Sequence, residues 1–140
     1  MRQSPSNLTY KKYQKPSFSF SRLTEQRRFH PIRGDYGLVS KEYGRLTFRQ
    51  IEAGRRTIRR QMRKMGFVFI RVFTYVSLTK KALASRMGKG KGSPYAWIAP
   101  IRAGQIIYEL GGVSSNISIL ALLKASNKMP MKTKVIRLIY

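Results

Sequence analysis

The side chains able to move a proton or attack a substrate are few and scattered. Five acids, Glu25, Asp35, Glu42, Glu52 and Glu109, are spread over 140 residues, and no two are close enough in sequence to suggest a local pair. General acid–base catalysis needs such groups held on one substrate with matched pKa values, so no candidate pair is offered. The single histidine, His30, stands between Phe29 and Pro31 and reads as a structural ring or an RNA contact rather than a general base. There is no cysteine, which excludes disulfides, zinc fingers and thiol catalysis. Metal-ligand spacing is absent as well. The expectation is a protein that is not an enzyme and uses no cofactor.

One stretch still has the composition of a phosphate cradle: "SRMGKGKGSPYAW", residues 85–97. Gly88, Gly90 and Gly92 lie two apart with no G-K-[ST], so the mononucleotide P-loop does not fit, and G-x-G-x-x-G fails because its third place falls on Ser93. What remains is a flexible cationic loop. Its glycines let backbone approach a crowded partner. Arg86 can present a bidentate fork to phosphate or a base edge, with Lys89 and Lys91 as mobile point charges. An ordinary surface loop would have the same composition, and composition does not choose between the two.

Charge decides the class of partner. Twenty-nine Lys and Arg against the five acids give a formal +24 and a pI near 11.3, a self-repulsion that a polyanion would offset. The basic residues run from Arg2 to Arg137 rather than clustering on one recognition helix, as expected when several faces touch folded RNA at once. No apolar run approaches the roughly 20 residues that span a bilayer, so no membrane partner is expected, nor is a homo-oligomer. The N-terminal "MRQSPSNLTYKKYQK" lacks the apolar core of a signal peptide and is short for an organelle presequence; no cleavable leader is expected.

The elements that must position these charges follow from periodicity. Residues 1–33 are basic and aromatic with Pro5, Pro16 and Pro31 and no sustained period. They read as an extended arm bearing Lys11, Lys12 and Lys15, with Tyr10, Tyr13, Phe18, Phe20 and Phe29 available to stack on bases; the plain alternative is a disordered tail. Residues 34–140 read as one domain. In "RLTFRQIEAGRRTIRRQMRKMG", Thr47 and Gln50 form a capping box and Gly66 is placed to end the helix. At about 100° per residue, Ile51, Ile58, Met62 and Met65 fall within an arc of about 60°. Arg49, Arg55, Arg56, Arg59, Arg60, Arg63 and Lys64 cover the opposite half, with Arg45 just upstream. A solvated helix face normally mixes signs; this one has Glu52 alone, which favours phosphate contact. A membrane-surface helix would need a broader apolar face. Gly54 lies beside the seam, a residue that permits close packing there.

"FVFIRVF" (67–73) has the composition of a buried strand, and "WIAPIRAGQIIYEL" offers two strands about a turn at Ala103–Gly104, with Pro100 marking an edge or a bulge. "SNISILALLKASNK" reads as a second helix with a capping Ser114 or Ser115 and a leucine-rich face, ended before Pro130, and "KTKVIRLIY" as a final strand. The fold class is α+β, a mixed, mainly antiparallel sheet with two helices.

"GRLTFRQIEAGRRT", "FIRVF", "ALASRMGKGKG", "YAWIAPIRAGQIIYEL" and "MPMKT", in that order, resemble the large-subunit ribosomal protein family L-sixteen in its bacterial and organellar form. The similarity runs from about Gly34 to Thr133 and more loosely back to Leu8. The resemblance implies a hammerhead-like α+β fold that binds large-subunit rRNA between the central protuberance and the peptidyl-transferase region. It implies a role in organising the aminoacyl-tRNA site and in late subunit assembly, beside neighbouring large-subunit proteins. On that reading Lys11, Lys12, Lys15, Arg45 and the helix arginines bind rRNA, while Arg86, Met87, Gly88, Lys89, Gly90 and Lys91 reach toward the tRNA. The chain departs from the family wording at Gly54, where alanine is usual, at Pro16, where glycine follows "KYQK", and through residues 17–33. "KYQK" resembles mitochondrial members, which places the expected ribosome in the mitochondrial matrix, with a bacterial cytoplasm second. The rival from another class is an assembly factor or nucleic-acid chaperone that leaves the mature particle.

Overall fold

The computed structural model describes residues 4–6, 8–14, 33–63 and 65–137. Lys15, Pro16, Glu25, Lys64 and the aromatic residues of the arm beyond Tyr13, His30 included, lie outside the described residues. In chain order the elements are β1 (Tyr36–Ser40), β2 (Gly44–Thr47), α1 (Phe48–Met62), β3 (Phe67–Ile70), β4 (Val76–Lys80), β5 (Ser93–Ile101), β6 (Ile106–Gly111), α2 (Ser115–Ser126) and β7 (Thr133–Arg137). The α+β class with two helices holds. The strands divide into two sheets, ordered β3-β6-β1-β7 and β2-β5-β4, and every pairing in both is antiparallel.

Sheet one is built on β1 and β6, whose residues are all buried. β1 is flanked on both sides, Leu38 lying opposite Tyr108 of β6 and Val135 of β7. The segment expected as a buried strand from 67 to 73 is shorter and lies at the sheet edge: β3 pairs only with β6, and Phe67 is exposed. In sheet two β5 is central, contrary to the edge position that Pro100 suggested. Pro100 is tolerated because pairing with β4 ends at Val76↔Ile98, so on that flank it meets no ladder; it faces only Arg45 of β2. A second proline, Pro94, sits at the register shift between Leu78 and Thr79.

Thr47 caps α1 as its sequence requires. Its hydroxyl accepts from Gln50 N at 3.4 Å, and its own N–H donates to Gln50 Oε1 at 2.9 Å. The helix ends earlier than glycine placement suggests. Arg63 takes the left-handed conformation (φ 47°) and forms the C-cap, while Gly66 (φ 60°) serves the turn into β3. Met65 therefore falls off the seam and is exposed, and the buried stripe is Ile51, Gly54, Ile58 and Met62. The fully buried side chains of Ile51, Ile58 and Met62 each contribute about 2 kcal/mol by leaving water.

α1 and α2 pack on one another; α2 also covers β1 and β7, and α1 reaches β2, β3 and β5, so it ties the two sheets together. At Gly54 the helix comes close to Tyr108 of β6. A Cβ at Gly54 would come within 2.5 Å of Tyr108 Oη, which donates to Ile51 O at 2.7 Å. Burial, joined by the nearby Glu52 carboxylate, pushes the Tyr108 hydroxyl's pKa up and keeps it a neutral donor. In α2 the buried side chains are Ser118, Ala121, Leu122 and Ala125, while Ile119, Leu120 and Leu123 are exposed, so its leucine-rich face is only partly inward. Ser114 stands at the N-cap without a side-chain cap bond; the Ser115 hydroxyl instead accepts from Tyr36 Oη at 2.8 Å.

Candidate nucleic-acid interface

The outer surface of α1 carries the first set of expected contacts. Arg49, Arg56, Arg60 and Arg63 are exposed there, and Arg45 is exposed on the adjoining β2. Between them runs a shallow open concavity lined by Phe48, Arg49, Glu52, Ala53, Arg56, Thr57, Arg60 and, from the segment after α2, Lys128. Three of the expected arginines are engaged within the protein. Arg55 donates to Glu52 through Nε (2.9 Å to Oε2) and Nη2 (2.6 Å to Oε1), and Arg59 Nη1 donates to Gly66 O at 3.0 Å across the helix end. Arg56 Nε also reaches Glu52 Oε1 at 3.3 Å. The hydrogen bond from Arg55 holds the Glu52 carboxyl down at about 2 against the opposing effect of burial, and Glu52 in turn raises the pKa of Arg55.

The second set lies on the loop between β4 and β5. Residues 81–91 are exposed throughout, Met87 and Leu83 almost completely. Gly88 (φ 98°), Lys89 (φ 52°) and Gly90 (φ 78°) are successively left-handed, and a Cβ at Gly88 or Gly90 would meet only open space. Those two glycines serve backbone conformation. Gly92 differs: a Cβ there would come within 2.6 Å of Lys80 O, so it lets the loop's two roots close together. Of the two loop lysines expected as mobile charges, Lys91 is held. Lys81 Nζ donates to Gly88 O at 2.5 Å, and Lys91 Nζ donates to Tyr13 O and, at 3.4 Å, to Gln14 Oε1. Lys91 is thus a tether to the arm, leaving Arg86 and Lys89 as the outermost cations.

That tether joins the third set. Ser77 of β4 accepts from Tyr13 N at 3.0 Å and donates to Lys11 O at 2.6 Å, and Lys12 Nζ donates to Lys91 O at 2.9 Å. Residues 11–14 therefore lie along β4 and across the loop's root, with Tyr10 84% exposed beside them. The described arm residues form no helix or strand and are held by these bonds to the body. Sequence reasoning missed Ser77 and Lys128, and no local pattern flags either. It read Glu52 only as a lone acid.

Glu109 is fully buried on β6, ion-paired to Arg71 and accepting from Arg33 N at 3.2 Å. Among the described residues no group of three or more His, Cys, Asp or Glu could hold a metal ion, and no helix is long and apolar enough to cross a membrane.

An α+β body with a one-sided arginine helix and a standing glycine–lysine loop has the make-up of a basic protein that docks on nucleic acid. The profile of a family described as ribosomal protein L16p/L10e matches residues 5–136, and the chain belongs to that family. It is a structural ribosomal protein and not an enzyme. The chain is 46% identical over 125 residues to the large ribosomal subunit protein uL16c of Guillardia theta, covering 89% of this chain and 93% of that one. To the large ribosomal subunit protein uL16 of Acholeplasma laidlawii it is 43% identical over 106 residues, 76% and 77% of the two chains. To that of Sphingopyxis alaskensis it is 48% identical over 103 residues, 74% and 72%. The match reaches back through the arm to Pro5, further than the motif wording alone.

Proposed function

We propose that this protein is a permanent component of the large ribosomal subunit, bound to large-subunit rRNA and to neighbouring large-subunit proteins. The observation that carries the reading is α1: a helix anchored by Ile51, Ile58 and Met62 that turns Arg49, Arg56, Arg60 and Arg63 outward together. Arg45, Arg55 and Arg59 stand beside this face, Lys11 and Lys12 add cations where the arm crosses β4 and the loop root, and Lys15, outside the described residues, is proposed as a further rRNA contact. Loop residues Arg86 to Lys91 reach toward the aminoacyl-site tRNA near the peptidyl-transferase centre, where they position RNA rather than catalyse. The names of the relatives, all large-subunit proteins, support the large-subunit membership.

The ribosome is of the bacterial and organellar type, and we assign it to the mitochondrion on the wording "KYQK". The relatives above are bacterial and, for uL16c, of plastid type, so that assignment rests on the arm alone. Fractionation of purified organelles tests it: the protein should sediment with mitochondrial and not plastid or cytosolic large subunits.

The principal experiment is sedimentation of the tagged protein from lysate at low and high salt. Binding through phosphate alone falls steeply as salt rises. Co-migration with the large subunit that survives high salt is expected. Release to the top of the gradient, or arrest on immature particles, would identify an assembly factor or chaperone instead.

A further inference from the structure

An acid on a surface that faces phosphate repels its own ligand, so the presence of Glu52 on α1 requires a reason. Its geometry supplies one. The carboxylate takes both Nε and Nη2 of Arg55, at 2.9 and 2.6 Å, and Nε of Arg56 at 3.3 Å. The Glu52 side chain is only 18% exposed, against 37% for Arg55 and 74% for Arg56. The acid thus sits beneath the two guanidinium groups and within the concavity, while their remaining N–H donors stay available. Lys128 closes the same concavity from beyond α2, so the array is framed by two separate parts of the chain. Glu52 is ionised at physiological pH, and the Arg55 hydrogen bond lowers its carboxyl further, to about 2.

We infer that Glu52 is a positioning residue for RNA recognition: it fixes Arg55 and Arg56 as a pair of oriented forks, so that α1 selects the shape of a folded rRNA backbone rather than attracting any polyanion. The inference rests on the rRNA-binding reading above. An arginine held in place beforehand loses less freedom on docking, and a fixed pair of forks matches only phosphates at the right separation. A flexible pair accommodates any strand. Glu52 thereby gives up some total attraction in exchange for discrimination.

The alternative is that Glu52 merely offsets charge along the helix, as ordinary i, i+3 and i, i+4 pairs do. The two differ in selectivity. Binding of the full chain to in vitro transcribed large-subunit rRNA and to poly(U) is measured across a salt series for wild type, E52Q, R55K and the double variant, with thermal melts verifying that each is folded. E52Q keeps the side chain's size and removes its charge. The expected result is unchanged or tighter binding of E52Q to poly(U) with weaker binding to rRNA, lowering the rRNA-to-poly(U) ratio about tenfold, the low end of what a well-placed bidentate contact contributes. R55K, which keeps charge but not the fork, should lower the ratio similarly, and the double variant should go little further. Tighter binding of E52Q to both RNAs with an unchanged ratio overturns the inference, as do E52Q and R55K effects that simply multiply. Should wild type itself show no preference for rRNA, the functional reading fails first and the inference falls with it.

Discussion

At the scale of single residues, backbone conformation and one ion pair set the sharpest expectations. Gly66 is left-handed, and a Cβ there would come within 2.3 Å of Val113 Cγ2 and 2.4 Å of Gly111 O. The carbonyl belongs to the backbone of β6 and cannot yield as a flexible side chain would. Gly66→Ala should therefore destabilise the fold by about 2 kcal/mol or more, the left-handed penalty plus the clash, read as a lower urea midpoint. Glu52 makes a pH prediction. Its carboxyl pKa is depressed in the folded protein, so its contribution is complete above the usual carboxylate value near 4.5 and is lost as pH falls toward 2. For a pair this exposed the contribution is about 0.5 kcal/mol. The stability difference between wild type and E52Q should persist from neutral pH to about 5 and vanish as the solution is acidified toward 2. A difference that persists at the acid limit would mean that glutamine disturbs α1 by its shape. The glutamate was visible in the sequence as a lone acid. That it holds two arginines at once required rotamers, which no spacing rule supplies.

At the scale of elements, the arm, β4 and the glycine-rich loop form a connected unit. Ser77 grips the arm's backbone, and Lys12 and Lys91 each bond a carbonyl across the arm–loop junction. Ser77→Ala should leave the body of the fold intact, costing about 1 kcal/mol, while residues 11–14 become cleavable by trypsin much faster than in wild type; unchanged cleavage would show that the lysine bonds alone hold the arm. The loop tip makes the opposite prediction. Arg86 and Lys89 are exposed, so changing both to alanine should alter stability by no more than about 0.5 kcal/mol. The same double variant, assembled into ribosomes, should slow tRNA accommodation in a rapid-mixing assay. α1 was the most legible element, since its capping box and apolar stripe are local signals. β1, β2 and β4 carried no such signal: "YGLVS", "GRLT" and "VSLTK" are short, contain Gly, Ser or Thr, and become strands because β6, β5 and β7 lie beside them.

At the scale of the whole molecule, the formal charge of +24 is held by a core that cannot neutralise it. Among the described residues, three acids are held in ion pairs: Glu109 with Arg71, Glu52 with Arg55 and Arg56, Glu42 with Lys132. The remaining repulsion is long-ranged, so the isolated protein's melting temperature should rise by several degrees between about 0.01 M salt, where the Debye length is about 30 Å, and about 0.15 M, where it is about 8 Å. Affinity for rRNA should fall over the same interval. Opposite responses of stability and binding in one titration would confirm that like charge limits the free protein and drives the bound one; a melting temperature that ignores salt would remove the first half of that account.

What the sequence determined by itself was whatever depends on composition and on neighbours within one turn or one strand. That covers the polyanionic partner, the absence of thiol chemistry, the capped arginine helix, the β5–β6 turn, and the family through its ordered motifs. Tertiary structure decided whatever depends on residues far apart in the chain. It split the strands into two antiparallel sheets, sent "FVFI" to an edge, let Pro100 sit on a central strand where pairing with β4 has ended, and turned Lys91 from a free charge into a tether for the arm. The physical reason is common to all of these. A hydrogen bond between Lys91 and Tyr13, or a strand pairing between Leu38 and Val135, depends on where the folded core brings two distant segments, and neither segment's own sequence encodes the other's position.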